Sequence, residues 1–147
     1  MRGVLSFSEQ TSARFEARDA ASLRHADTRH AAYSRSMDMQ VRVGGWEHLC
    51  CGAAFSVGDT VTWEVFDLDD GAPVETHHVP EEGSRPVTGR VAEIRAVFDD
   101  GTTAAVTRAP GGSALNGFDD LDDGHLVAAD TGGRLERRAT SFRVRLA

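Results

Sequence analysis

Apolar and polar side chains alternate in several short stretches after residue 38. The pattern is clearest in residues 39–43 (MQVRV), 60–66 (TVTWEVF) and 141–146 (SFRVRL). A period of two is typical of a β-strand with one buried face. Each stretch is therefore predicted to be a strand, with Trp63 as a buried anchor of the core.

A hairpin is predicted in the middle of the chain. Val87–Phe98 and Thr102–Arg108 flank Asp99-Asp100-Gly101, a short connection with the turn residues that hairpins favour. If the first strand is regular, one face carries Ala92, Ile94, Ala96 and Phe98. Val91 is then expected on the opposite face, and a shorter strand is predicted at His125–Ala129.

The stretch from Trp46 to Trp63 (WEHLCCGAAFSVGDTVTW) holds both cysteines and both tryptophans. Val57-Gly58-Asp59 predicts a turn inside a bent strand pair, because glycine accepts positive φ and aspartate bonds its own backbone. A further strand is predicted around Trp46–Cys51. On a strand, His48 and Cys50 would share a face, and Cys51 would point the other way.

About six short strands, glycine-rich turns and no convincing helix after residue 38 predict an all-β fold. We expect a small SH3-like or OB-like barrel, since closure removes exposed strand edges. Residues 67–86 and 110–124 show no strand pattern and are expected to be loops. A segment as long as residues 67–86 that has no strand pattern is typically functional or disordered.

The chain is predicted to divide at residue 38. Residues 1–38 are rich in Ala and Arg and poor in large apolar side chains, which favours a disordered or weakly helical tail. Residues 39–147 are predicted to form the barrel domain. Because Met37 and Met39 directly precede the first strand, a mis-called start codon is an alternative to a functional tail.

Charge and hydropathy narrow the possible environments. The chain has 147 residues, 16 cations that are all arginine, and a formal net charge of −7. This balance disfavours non-specific binding to nucleic acid or anionic membranes. Because no apolar run could span a bilayer or serve as a signal core, a cytoplasmic location is expected. There the two cysteines are expected to be thiols or metal ligands.

The motif W-x3-C-C-G-x2-F-x-V-G-x2-V-x-W, with His77-His78 and a Gly-Arg-Val strand downstream, resembles a family of small actinobacterial proteins. That family carries a domain-of-unknown-function label. The similarity covers roughly residues 39–98. It implies a grouping and a bacterial source, and it implies no activity.

A zinc site is the sharpest chemical hypothesis. Its expected ligands are His48, Cys50, His77 and His78, since thiolate and imidazole ligands suit zinc. The competing interpretation is that one thiol is simply buried in the core. The acidic run Phe118–Gly124 fits a calcium loop poorly and is expected to be a solvated loop.

Three functions remain open at this point. The leading hypothesis is a non-enzymatic binding or interaction module with an unidentified ligand or protein partner. The alternatives are a zinc-binding domain built on Cys50 and His77-His78, and a nucleic-acid-binding barrel. The last would use arginines on two strands if those strands are neighbours (Arg90, Arg95, Arg143 and Arg145). Nucleic acid and membrane are not expected as partners, and no serine-hydrolase motif is present.

Overall fold

The computed structural model describes residues 38–69, 71–77 and 82–147. One compact unit covers Met37–Ala147. The tail predicted over residues 1–38 lies outside the described residues apart from Asp38. In chain order the elements are β1 (Met39–Gly44), α1 (Gly45–Cys51), β2 (Phe55–Ser56), β3 (Thr60–Phe66), β4 (Val74–Thr76), β5 (Arg85–Val97), β6 (Thr103–Val106), β7 (Arg108–Ala109), α2 (Gly112–Leu115), β8 (Leu126–Val127), β9 (Arg134–Leu135) and β10 (Ser141–Leu146).

Six strands form one sheet in the order β10-β1-β4-β3-β5-β6. An additional pairing of β10 with β5 closes five of these strands into a barrel, and β6 extends β5 as an extra strand. β1 and β4 run parallel, whereas the other neighbours in the sheet are antiparallel. The predicted all-β class and the small barrel are confirmed.

The core follows the alternation seen in the sequence. Val41 and Val43 of β1 and Phe142, Val144 and Leu146 of β10 are all buried. Burial of such a side chain contributes roughly 1.5–3 kcal/mol. Trp63 is only half-buried, and its ring packs edge-on against Phe55 at 5.1 Å between centroids.

β5 departs from strict alternation, and the expectation for Val91 is wrong. Arg145 pairs with Glu93, but the next residue, Leu146, pairs with Val91. The extra residue, Ala92, forms a β-bulge, which changes the face that preceding side chains occupy. Val91 therefore joins Ile94 in the core at 1% exposure.

The strand predicted around Trp46–Cys51 is wrong, because this segment is helix α1. Seven residues are too few for the period of the apolar positions to separate a helix from a strand. Gly44 and Gly45, with φ of 153° and 69°, turn the chain out of β1. α1 then packs on α2, where a Cβ on Gly112 would lie 2.3 Å from the carbonyl oxygen of His48. α2 itself lies in the segment expected to be a loop.

The turn at Gly58 is confirmed by its φ of 99°. The bent strand pair expected around it is not formed, because β2 pairs with β7 and β3 pairs with β4 and β5. None of the helices in the described part of the chain has the length and apolar character needed to cross a bilayer.

Candidate metal centre

Four polar side chains meet where α1 passes the end of β4. Glu47 and Cys51 are four residues apart on α1 and therefore lie one turn apart on the same side. Glu75 lies on β4, and His77 follows two residues later, the spacing that puts strand side chains on one face. We call Glu47, Cys51, Glu75 and His77 the α1–β4 cluster.

The ring of His77 bridges the cluster. Its Nδ1 lies 2.9 Å from Oε1 of Glu75, and its Nε2 lies 3.4 Å from Sγ of Cys51. Glu47 Oε1 accepts a hydrogen bond from the hydroxyl of Thr76 at 3.2 Å, and Glu47 Oε2 accepts one from the backbone N–H of His77 at 3.3 Å. Ligand atoms of Glu47, Glu75 and His77 all lie within 4.8 Å of one another.

The electrostatics of the cluster favour a positive ligand. Glu75 is a buried carboxylate at 6% exposure, and buried charges require compensation. Loss of solvent contact, a hydrogen bond with Cys50 and the charges of Cys50, Glu47 and Glu75 raise the pKa of the Cys51 thiol. The same negative charges that keep this proton on sulfur would attract a cation.

A family model matches residues 37–131, well over half of the chain. Its description is a family of unknown function, DUF6578. The chain belongs to this family. The expected grouping with a domain of unknown function is confirmed, and the actinobacterial source stays a prediction. Comparison with the curated proteins and with the solved structures finds no match for the chain.

The DUF6578 match includes all four residues of the α1–β4 cluster but only part of the ligand set predicted from the sequence. His77 is in the cluster, and His78 lies outside the described residues. Cys50 is exposed, and the thiol that contacts His77 belongs to Cys51. Positions i and i+2 lie about 200° apart around a helix, so His48 and Cys50 do not share a face of α1.

His48 points into the core. It is 3% exposed, and its ring lies edge-on to Phe142 at 5.6 Å between centroids. Nε2 donates to the carbonyl oxygen of Pro110 at 2.9 Å. Burial lowers the pKa of His48 below its ordinary value, although the hydrogen bond to Pro110 opposes this shift. His48 is therefore a neutral residue that anchors α1 to the barrel.

Glu47, Cys51 and Glu75 are not among the ligands predicted from the sequence. The signals were E-x3-C at residues 47–51 and E-x-H at residues 75–77, both within the DUF6578 match. The first spacing brings donors together only on a helix, and the second does so only on a strand. Once α1 is recognised as a helix, the two short patterns together identify the cluster.

Proposed function

We propose that the chain is a small β-barrel binding module that holds a divalent metal ion in the α1–β4 cluster. Zinc is the ion that suits these ligands best. Glu47, Glu75 and His77 would supply three ligands and Cys51 the fourth. The observation that carries this proposal is the convergence of three ligand atoms within 4.8 Å of one another.

The donor types and their spacing suit zinc. Carboxylate oxygen, imidazole nitrogen and thiolate sulfur are its usual protein ligands, held about 2.0–2.3 Å from the ion. In a tetrahedral site these distances put neighbouring nitrogen and oxygen ligand atoms about 3.3 Å apart. Small side-chain rotations would bring the ligand atoms of Glu47, Glu75 and His77 to that spacing, because Glu47 and His77 are not fully buried. Cys51 Sγ lies beside the other ring nitrogen of His77, so it would reach the same ion only after a change of side-chain rotamer.

A catalytic thiol is the main competing interpretation. Cys51, His77 and Glu75 are in the order nucleophile, base and orienting carboxylate, as in a cysteine hydrolase. However, reactive cysteines occur in electropositive surroundings and often at helix N-termini. Cys51 is the last residue of α1, where the helix dipole is negative, and two carboxylates lie nearby. These surroundings favour a metal ligand over a nucleophile, in line with a non-enzymatic module.

Zinc titration of the untagged, metal-stripped full chain tests the proposal, with calorimetry in two buffers of different protonation enthalpy. We expect one zinc per chain and proton release, because Cys51 binds metal only as a thiolate. Cys51→Ser should weaken binding, whereas Cys50→Ser is the matched control and should not. The expectation from the strand interpretation was the reverse. No zinc binding, or equal losses in the two serine variants, would refute the site.

A further inference from the structure

Three arginines lie in one row across the outside of the barrel. The register places Arg42 of β1 directly opposite Arg143 of β10, and Arg143 directly opposite Arg95 of β5. All three side chains are exposed, and their strand neighbours Val43, Phe142 and Val144 are buried. The row therefore faces outward.

Like charges directly opposite each other on neighbouring strands destabilise a sheet unless they are compensated. Arg95 is compensated by Glu93, with Nη1 to Oε1 at 3.2 Å. Arg145, two residues after Arg143 on β10, contacts Asp38 at 3.2 Å and Glu93 at 3.6 Å. For Arg42 and Arg143, by contrast, no described carboxylate lies within ion-pair distance. The chain as a whole is acidic, with a net charge of −7.

A groove of about 470 Å³ opens at this arginine pair. Such a volume is typical of small-molecule sites. Besides Arg42 and Arg143, the groove is lined by Thr140, Ser141 and Trp46, and the Trp46 side chain is 67% exposed. Guanidinium groups recognise phosphate through paired hydrogen bonds, hydroxyls can add further donors, and an indole offers a stacking surface.

We propose that the Arg42–Arg143 groove binds a small phosphate monoester that carries an aromatic ring, the chemistry of a nucleoside monophosphate. The two guanidiniums would hold the phosphate, and Trp46 would contact the base. A long nucleic-acid strand is not the expected ligand, because the net charge of −7 repels a polyanion.

The same groove is also lined by Glu47 and Glu75 of the α1–β4 cluster. In the metal-free protein these carboxylates would repel a phosphate. A bound divalent cation would reverse the local charge, because metal ions are often the largest charges in a site. Phosphate binding should therefore tighten when zinc is bound, an expectation that rests on the proposed metal site.

Calorimetric titration of the full chain with AMP, inorganic phosphate and adenosine tests the proposal, both metal-stripped and zinc-loaded with excess zinc removed. We expect AMP to bind, adenosine not to bind, and the AMP affinity to fall with rising salt. Arg143→Gln should reduce the affinity for AMP by roughly tenfold or more, the size expected for a lost charged hydrogen bond. Arg145→Gln, on the same strand but paired with Asp38, is the matched control and should bind AMP normally.

A stability control and the combined titration results keep the outcomes distinct. Arg143→Gln should not lower the melting temperature, since it removes a charge that lies directly opposite two like charges. Zinc binding without AMP binding, or equal losses in the two arginine variants, would overturn the groove proposal and leave the metal proposal standing. AMP binding to the metal-stripped chain that zinc does not change would support the groove and contradict its coupling to the metal. Inorganic phosphate binding as tightly as AMP would overturn the role of Trp46.

Discussion

The two sides of helix α1 place polar residues in very different surroundings. On the inner side, His48 is buried and its Nε2 donates to the Pro110 carbonyl oxygen. On the outer side, Glu47 and Cys51 meet Glu75 and His77, where negative charge accumulates. The comparison teaches that a histidine becomes structural when protein groups satisfy it in the core. A histidine becomes a candidate metal ligand when, as at His77, negative charge accumulates on the side chains around it.

The largest effect is expected on the inner side. His48→Ala should lower the free energy of unfolding by roughly 2–4 kcal/mol, because it leaves a cavity beside Phe142 and removes the donor to Pro110. Urea unfolding of the metal-stripped protein measures this loss. A loss below about 1 kcal/mol would show that His48 does not anchor α1.

A second change attacks the inner side through the backbone. A Cβ on Gly52 would lie 2.2 Å from Nδ1 of His48, so Gly52→Ala should displace the ring. The expected cost is roughly 1–3 kcal/mol, the range for overpacked cores. Gly71→Ala is the matched control, since a Cβ there meets nothing within 4 Å. Equal unfolding curves for the two variants would contradict the close approach.

The inner side should also respond to acid. Burial depresses the pKa of folded His48 below 6.5, so between the two pKa values the unfolded chain binds one more proton than the folded chain. The stabilisation is fully present above about pH 6.5 and is lost as the pH falls below it, with a slope of at most about 1.4 kcal/mol per pH unit. In His48→Gln the free energy of unfolding should fall less steeply as the pH decreases through this range. An unchanged pH profile would mean that another group dominates it.

The smallest effect on stability is expected on the outer side. Glu47→Gln should change the melting temperature of the metal-free protein only slightly. The amide oxygen of Gln keeps one of the two acceptors that Thr76 and His77 use, and the substitution removes a negative charge beside Glu75. The same variant should lose the rise in melting temperature that zinc produces in the parent. Differential scanning fluorimetry with and without zinc measures both. A zinc-dependent rise that survives in Glu47→Gln would remove Glu47 from the ligand set.

Most of the barrel is predictable from alternation, since β1 and β10 bury alternate side chains and β3 packs Val61, Trp63 and Val65 against the core. The Ala92 bulge is not predictable, because it appears only when β5 pairs with β10. Of the ligands predicted from the sequence, His77 is a member of the α1–β4 cluster. Its other members could not be found without α1, whose helical state depends on packing against α2 and on Gly44 and Gly45.

The pairing of β1 with β10 also determines when the protein can fold. Asp38 and Arg145 meet across 107 residues of chain, and Met39 pairs with Leu146. During synthesis the edges of β1 and β5 therefore stay open until β10 has emerged from the ribosome. Barrels dominated by such distant pairings fold in milliseconds to seconds, and open strand edges favour aggregation meanwhile. Late emergence of β10 should make this domain depend on chaperones during synthesis more than its small size suggests.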